Sequence, residues 1–223
     1  MEKVMELIEV SKSFKEKKLY NNVNMTVAKG EAIGIVGGNG SGKSVLFKIM
    51  TGLENPDSGD IIINGQKLGA DCDFPRGVGI MVDSPGYIDY YSGYKNLMLL
   101  SEIQGTISSK EVTDVMTLVG LDPLDKKPVK TYSTGMKQKL GIAQAIMENQ
   151  SIVLLDEPFN ALDFKTNQEI VRVLNRLKAE GKTIIMTSHQ HEYLEKICDR
   201  LYVIDNQELI PFTEEIKEKY FMI

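Results

Sequence analysis

Cysteine is scarce in this chain: Cys72 and Cys198 stand far apart and without company among 223 residues. That excludes a disulfide framework and any metal-binding cysteine spacing, and it suits a reduced, cytosolic setting. Positive charge is not in excess either, since 26 Lys and Arg face 31 Asp and Glu, for a formal net charge of −5. A balance of this sign excludes a broad nucleic-acid footprint. Long apolar runs are missing too. Each spans only a few residues, against the roughly 20 of a spanning helix, so work at a membrane would pass through a partner. The opening "MEKVMELIEV" is charged throughout and does not read as a secretory leader. No repeat, low-complexity segment or linker interrupts the chain, and one domain over residues 1–223 is expected.

What is present is ordered by period. "MELIEVSKSF" and "NVNMTV" read as strands, the second ended by the turn "AKGE". "AIGIVG" is an apolar run entering a Gly-rich loop. In the "KSVLFKIMTGL" that follows, Val45, Leu46, Ile49, Met50 and Leu53 recur at helical spacing, with Gly52 and Pro56 marking the exit. "GDIIINGQKL" alternates like a hairpin arm. From about Tyr87 to Asn149 the pattern turns mainly helical. "IVLLDE" and "TIIMTSH" are continuous apolar runs ending in polar residues, which suits parallel strands covered on both faces. Helical "QEIVRVLNRLKAEG" lies between them, and "RLYVID" follows. "TEEIKEKYFMI" is expected to close the fold as a helix, with Tyr220 and Phe221 against the core. The expected class is α/β, with its site at the carboxyl edge of the sheet.

"GGNGSGKS", Gly37 to Ser44, fits G-x-x-x-x-G-K-[ST] between an apolar strand and a helix. Glycines there let backbone N–H groups converge on phosphate oxygens, and the helix start adds its positive dipole end. Gly37, Gly38, Asn39, Gly40, Ser41, Gly42 and Val45 are therefore expected to cradle a nucleotide. Lys43 should bridge the β- and γ-phosphates, and Ser44 should hold Mg²⁺. A GTPase would carry N-K-x-D, which is absent, and a nucleoside kinase an arginine-rich lid. The arginines here, Arg76, Arg172, Arg176 and Arg200, are not clustered over such a site.

"IVLLDEP" ends its strand in Asp156 and Glu157. Asp156 can orient Mg²⁺ through its water shell, and Glu157 can polarise an attacking water as a general base. His189, at another strand end, can sense the γ-phosphate and orient Glu157 or the water. Its neighbour His191 is expected to be a solvated helix residue.

"GGNGSGKS", "YSTGM", "IVLLDEP", "NALD" and "SH" occur in that order. Together they resemble the nucleotide-binding subunits of ABC transporters along nearly the whole chain. The resemblance implies a phosphate-loop ATPase core at about 1–86 and 150–223, with a mixed, mainly parallel sheet and an N-terminal antiparallel β lobe. A helical insertion would occupy about 87–149. It also implies that two copies, or one copy and a related subunit, close head to tail on Mg-ATP. They would drive a separate transmembrane protein from the cytoplasmic face of the membrane. "YSTGM" occupies the place of that family's signature, so Ser133 and the N–H groups of Gly135 and Met136 would contact the γ-phosphate of an ATP bound to the partner copy. Ser133 can cap its own helix as well.

Departures from the family are informative. Tyr132, Thr134 and Met136 replace three residues of the common Leu-Ser-Gly-Gly-Gln, and Gly38 stands where Pro is frequent. Asp83 aligns with the family's usual Gln, and a carboxylate there would favour Mg²⁺ capture, the other reading being a solvated loop residue. Phe14 aligns with the aromatic residue on which the family stacks adenine, with core packing as the other reading. An acid at 83 together with "YSTGM" looks like the bacitracin-resistance and lantibiotic-immunity branch of exporters, which implies a peptide, lipid or amphiphilic antibiotic as cargo. Tyr87, Tyr90, Tyr91 and Tyr94 follow the loop that transmits nucleotide state in that family. Clustered tyrosine suits a docking surface for the membrane subunit. The competing expectation is a soluble ABC-type ATPase acting as a switch or sensor. One ATP unit, no heptads and an acidic balance weigh against the chromosome-maintenance and translation-associated kinds, while a sensor shares the exporter's motor and stays open at this point.

Overall fold

In this computed structural model the described residues are 2–15, 17–83 and 86–221, with side chains described as far as Glu218. Two kinds of apolar pattern build two sheets. The first is alternating: β1 (Lys3–Phe14) and β2 (Lys17–Ala28) pair antiparallel, and in β2 Val23, Met25 and Val27 are buried while Asn22 and Asn24 are exposed. β1 pairs on its other edge with the strand Ser58–Ile63, which turns back into Gln66–Lys67.

The second pattern is continuous. β3 (Ala32–Val36) leads to a helix, α1 (Lys43–Met50), and then to the two short strands just named, β4 and β5. β6 (Val78–Met81), β7 (Ile152–Leu155), β8 (Thr183–Ser188) and β9 (Arg200–Asp205) run parallel with β3, and β10 (Glu208–Pro211) joins β9 antiparallel. The spatial order is β10-β9-β3-β8-β7-β6. β3, β7 and β8 are buried along their whole lengths, as strands covered on both faces must be. β3 shows why: Ala32 and Val36 join the core on the helical side, while Ile33 and Ile35 join the core shared with the antiparallel sheet.

Between β6 and β7 come α2 (Gly93–Gln104), α3 (Ser109–Leu118), a 3-10 turn (Val129–Thr131) and α4 (Thr134–Ile146). α2 is capped by Ser92 and α3 by a Ser108–Glu111 capping box, which satisfy backbone donors that a helix start leaves open. α5 (Phe164–Ala179) starts at the cap Asp163, and the short α6 (His191–Glu195) follows β8. The observed class matches the expectation: an α/β phosphate-loop core, an antiparallel N-terminal sheet and a helical insertion. β6, β10 and α6 had no clear sequence signal, being four, four and five residues long. Leu53 lies beyond the end of α1 and is 56% exposed, so it does not extend that helix's buried face. The C-terminal helix is present as α7 (Glu214–Phe221), while the side chains of Tyr220 and Phe221 lie outside the described residues.

Candidate active site

Three strand ends converge here because β3, β8 and β7 are neighbours in the parallel sheet. β3 delivers the phosphate loop. Gly42 has φ 104, a backbone region that side chains resist, and a Cβ there would collide with the Tyr20 hydroxyl. That hydroxyl, fully buried, donates to the carbonyl of Gly42, which also accepts from the N–H of Leu46 at 2.9 Å. The Ser41 hydroxyl is buried without a hydrogen-bond partner among the described residues. An orphaned donor inside a Gly-rich cradle fits a phosphate oxygen.

Lys43 is 7% exposed and folds back over the loop. Its Nζ donates to the carbonyls of Gly37 (2.7 Å) and Gly38 (3.2 Å) and lies 3.1 Å from Oε1 of Glu157. β7 delivers the two acids. The Asp156 carboxylate accepts from the Thr187 hydroxyl at 2.6 Å, and the same hydroxyl accepts from the N–H of Glu157 at 2.9 Å. Glu157 sits in the left-handed region at φ 49. Its Oε2 is 2.9 Å from Nδ1 of His189 and accepts from the His189 N–H at 3.2 Å. The fold thus brings Lys43, Asp156, Glu157 and His189 into one connected cluster.

A cleft of about 380 Å³ opens beside it, lined by Leu19, Asn39, Gly40, Gly42, Lys43, Ser44, Val45 and Glu157. A second, of about 410 Å³, shares Leu19 and Gly40 and extends past Ser41 to Lys17, Lys18, Asn206 and Gln207. A larger hollow of about 650 Å³ lies away from this cluster, against α3 and the end of α5, and contains none of these residues. Among the described residues, no group of three or more His, Cys, Asp or Glu could hold a metal by itself. The pair present, a Ser44 hydroxyl and the Asp156 carboxylate, is a hard-oxygen set that fits an Mg²⁺ keeping water and phosphate in its shell.

The other expected residues are placed as follows. The Asp83 carboxylate makes a 2.7 Å ion pair with Lys48. Lys48 follows Ser44 by four positions on α1, so the two share a helix face. Phe14 is 45% exposed, with Lys12 Nζ 5.0 Å from its ring centre, so it is no core residue. Ser133 is exposed and caps α4, accepting from the N–H of Met136 at 3.2 Å. Gly135 lies against Thr166 at the start of α5, and Met136 packs partly against the helical-side core. Tyr87 and Tyr94 pack against that core, and burial pushes the Tyr87 phenol above its ordinary range. Tyr90 and Tyr91 instead lie beneath the ammonium groups of Lys130 and Lys95. His191 opens α6 with its ring 6.0 Å from that of Phe212, a packed position more than a solvated one. Thr187, Tyr20, Lys48 and Gln138, whose Nε2 donates to the Glu157 carbonyl at 3.0 Å, were missed in the sequence. Only Thr187 left a signal there, as a hydroxyl inside a wholly buried strand.

Comparison with known proteins places the family and fold. Residues 20–160 match the ABC transporter family. The lantibiotic transport ATP-binding protein SrtF of Streptococcus pyogenes is 35% identical, over 88% of this chain and 84% of its own. The bacitracin transport ATP-binding protein BcrA of Enterococcus faecalis is also 35% identical, over 94% of this chain and 69% of its own. An ATP-binding cassette solved as a dimer in a post-hydrolysis state with ADP and Pi superposes with a TM-score of 0.81. It is 25% identical and covers 92% of this chain and 96% of its own. With a phosphate loop, two acids and a strand-end histidine in one cluster, this chain belongs to the ABC transporter family, as an ATP-hydrolysing ATP-binding subunit.

Proposed function

We propose that residues 1–223 act as one ATPase domain with Glu157 as its general base, paired head to tail with a second copy and driving an exporter of peptide antibiotics. The observation that carries this reading is the position of Glu157, held 3.1 Å from Lys43 and 2.9 Å from His189 at the mouth of the phosphate loop. Lys43 exchanges the Gly37 and Gly38 carbonyls for the β- and γ-phosphates. Glu157 takes the proton of the attacking water, and His189 keeps that carboxylate aimed. Ser44 and Asp156, with Asp83 as a further carboxylate, hold the metal side. Mg²⁺ bound there would neutralise charge developing on the phosphate oxygens. Phe14 offers an exposed ring for adenine. Ser133, Gly135 and Met136 meet the γ-phosphate of the partner's ATP through the start of α4.

Among the described residues no helix is long and apolar enough to cross a membrane. Transport therefore needs a spanning partner, and we assign its docking to the loop of Tyr87, Tyr90, Tyr91 and Tyr94 on the cytoplasmic side. The relatives' names, lantibiotic and bacitracin transport, support the cargo class. No observation favours a switch without transport. Glu157→Gln tests the centre of this reading. Turnover should fall at least ~100-fold while ATP stays bound, the loss expected of a positioned base. Wild-type turnover in that variant would defeat it.

A further inference from the structure

The backbone carbonyl of Glu157 accepts two hydrogen bonds. One, from the N–H of Asn160 at 3.1 Å, closes a local turn. The other comes from Nε2 of Gln138 at 3.0 Å, on α4. The remaining contacts of Glu157 come from the strand-end loops: Lys43 from the phosphate loop, Thr187 and His189 from β8 and the residue after it. Gln138 alone among these partners belongs to the helical insertion. Glu157 occupies the left-handed backbone region at φ 49, where a glutamate stays only if its surroundings hold it. Its carbonyl and its Cβ leave the same α-carbon, and the peptide unit is a rigid plane. Displacing that plane carries the α-carbon with it, and so moves the carboxylate.

We propose that Gln138 is a positioning residue for ATP hydrolysis. By holding the Glu157 carbonyl it keeps the strained backbone in the form that points the carboxylate between Lys43 and His189. It also ties that aim to α4 of the same chain, whose Ser133 end is the part assigned to the partner's nucleotide. Movement of α4 on meeting that nucleotide thus reaches the base of its own chain through one hydrogen bond. The inference rests on the reading of Glu157 as the base.

Two variants remove the donor and keep the side-chain length: Gln138→Met, and Gln138→Glu, which sets an acceptor against an acceptor. For both, turnover should fall roughly tenfold, the scale of one lost hydrogen bond that holds the base in place. ATP affinity should stay within about twofold, because the contact is absent from the nucleotide cradle. Mixed dimers locate the effect. With one chain carrying Glu157→Gln, only the other hydrolyses. Gln138→Met should cause the whole loss when placed in the chain with intact Glu157, and none when placed in the Glu157→Gln chain. A loss in the second arrangement, an affinity loss equal to the turnover loss, or no loss at all overturns the proposal. The Glu157→Gln homodimer separates the two failures, since wild-type turnover there would overturn the base assignment instead.

Discussion

Tyr20 commits its hydroxyl to the carbonyl of Gly42, and burial raises its pKa, so the group remains a donor wherever the protein is folded. It stands under the tightest point of the phosphate loop. Tyr20→Phe removes that donor without opening a cavity, and Leu46 still serves the Gly42 carbonyl. Losing one buried hydrogen bond of about 1 kcal/mol should lower the melting temperature by about 2–4 °C, and ATP binding should weaken as the loop loses that brace. Nucleotide titration beside a thermal scan checks both. Asp83 makes a different case. Its pair with Lys48 is open to solvent on both sides, so losing it should alter stability by less than about 0.5 kcal/mol. Its partner Lys48 stands one helical turn from Ser44, which brings the Asp83 carboxylate to the side of α1 where the metal is proposed to sit. Asp83→Ala should lower kcat by a larger factor than it weakens ATP binding. Equal turnover in the variant would return Asp83 to the surface.

β6 and α4 set how closely the helical insertion approaches the sheet. Gly79 is buried on β6, and a Cβ there would overlap the backbone carbonyl oxygen of Ala145 on α4. That oxygen belongs to a helix backbone and cannot rotate away as a side chain would. Gly79→Ala should therefore cost about 3 kcal/mol or more, at the upper end of overpacking. Urea unfolding would read the loss as a lower midpoint with an unchanged slope. A variant as stable as the wild type would mean that α4 and β6 separate freely. The same contact joins two parts of the proposed site, because β6 leads into Asp83 and α4 carries Gln138 behind its Ser133 cap. The neighbouring tyrosine loop is similarly pinned: Asn96, buried on α2, accepts from the N–H of Ile88 and donates to the carbonyls of Ile88, Tyr91 and Ser92. Tyr90, 77% exposed, thus stands on a braced loop, which suits the docking proposed for it.

As a whole, the molecule gathers Lys43, Asp156, Glu157 and His189 at the carboxyl ends of β3, β7 and β8 and holds Tyr90 and Tyr91 on a separate loop before α2. A motor of this plan acts only through another polypeptide. Extraction of the tagged chain in mild detergent with Mg-ATP should yield a complex of two copies with a multi-spanning protein, weighed by native mass spectrometry. A complex free of any membrane protein would overturn the transport reading and leave the ATPase standing. Alanine at Tyr90 and Tyr91 should release the spanning protein from that complex while ATP turnover by the isolated chain persists.

Local chemistry was legible in the order of residues alone. The phosphate loop from Gly37 to Ser44, the apolar strand ending in Asp156 and Glu157, and the helix behind the Ser133 cap each depend on neighbours in sequence. Backbone periods of two and 3.6 residues mark such neighbours directly. The class of fold followed from those periods too, and the short β6, β10 and α6 escaped because so few residues carry no period. The working contacts were not legible. Thr187 reaches Asp156 across 31 positions, Gln138 reaches Glu157 across 19, and Tyr20 reaches Gly42 across 22. The meeting of Lys43, Glu157 and His189 likewise depends on β8 lying between β3 and β7. No local pattern records that strand order. It is decided by which fully buried strands can be covered on both faces at once, a property of the packed sheet and its helices together.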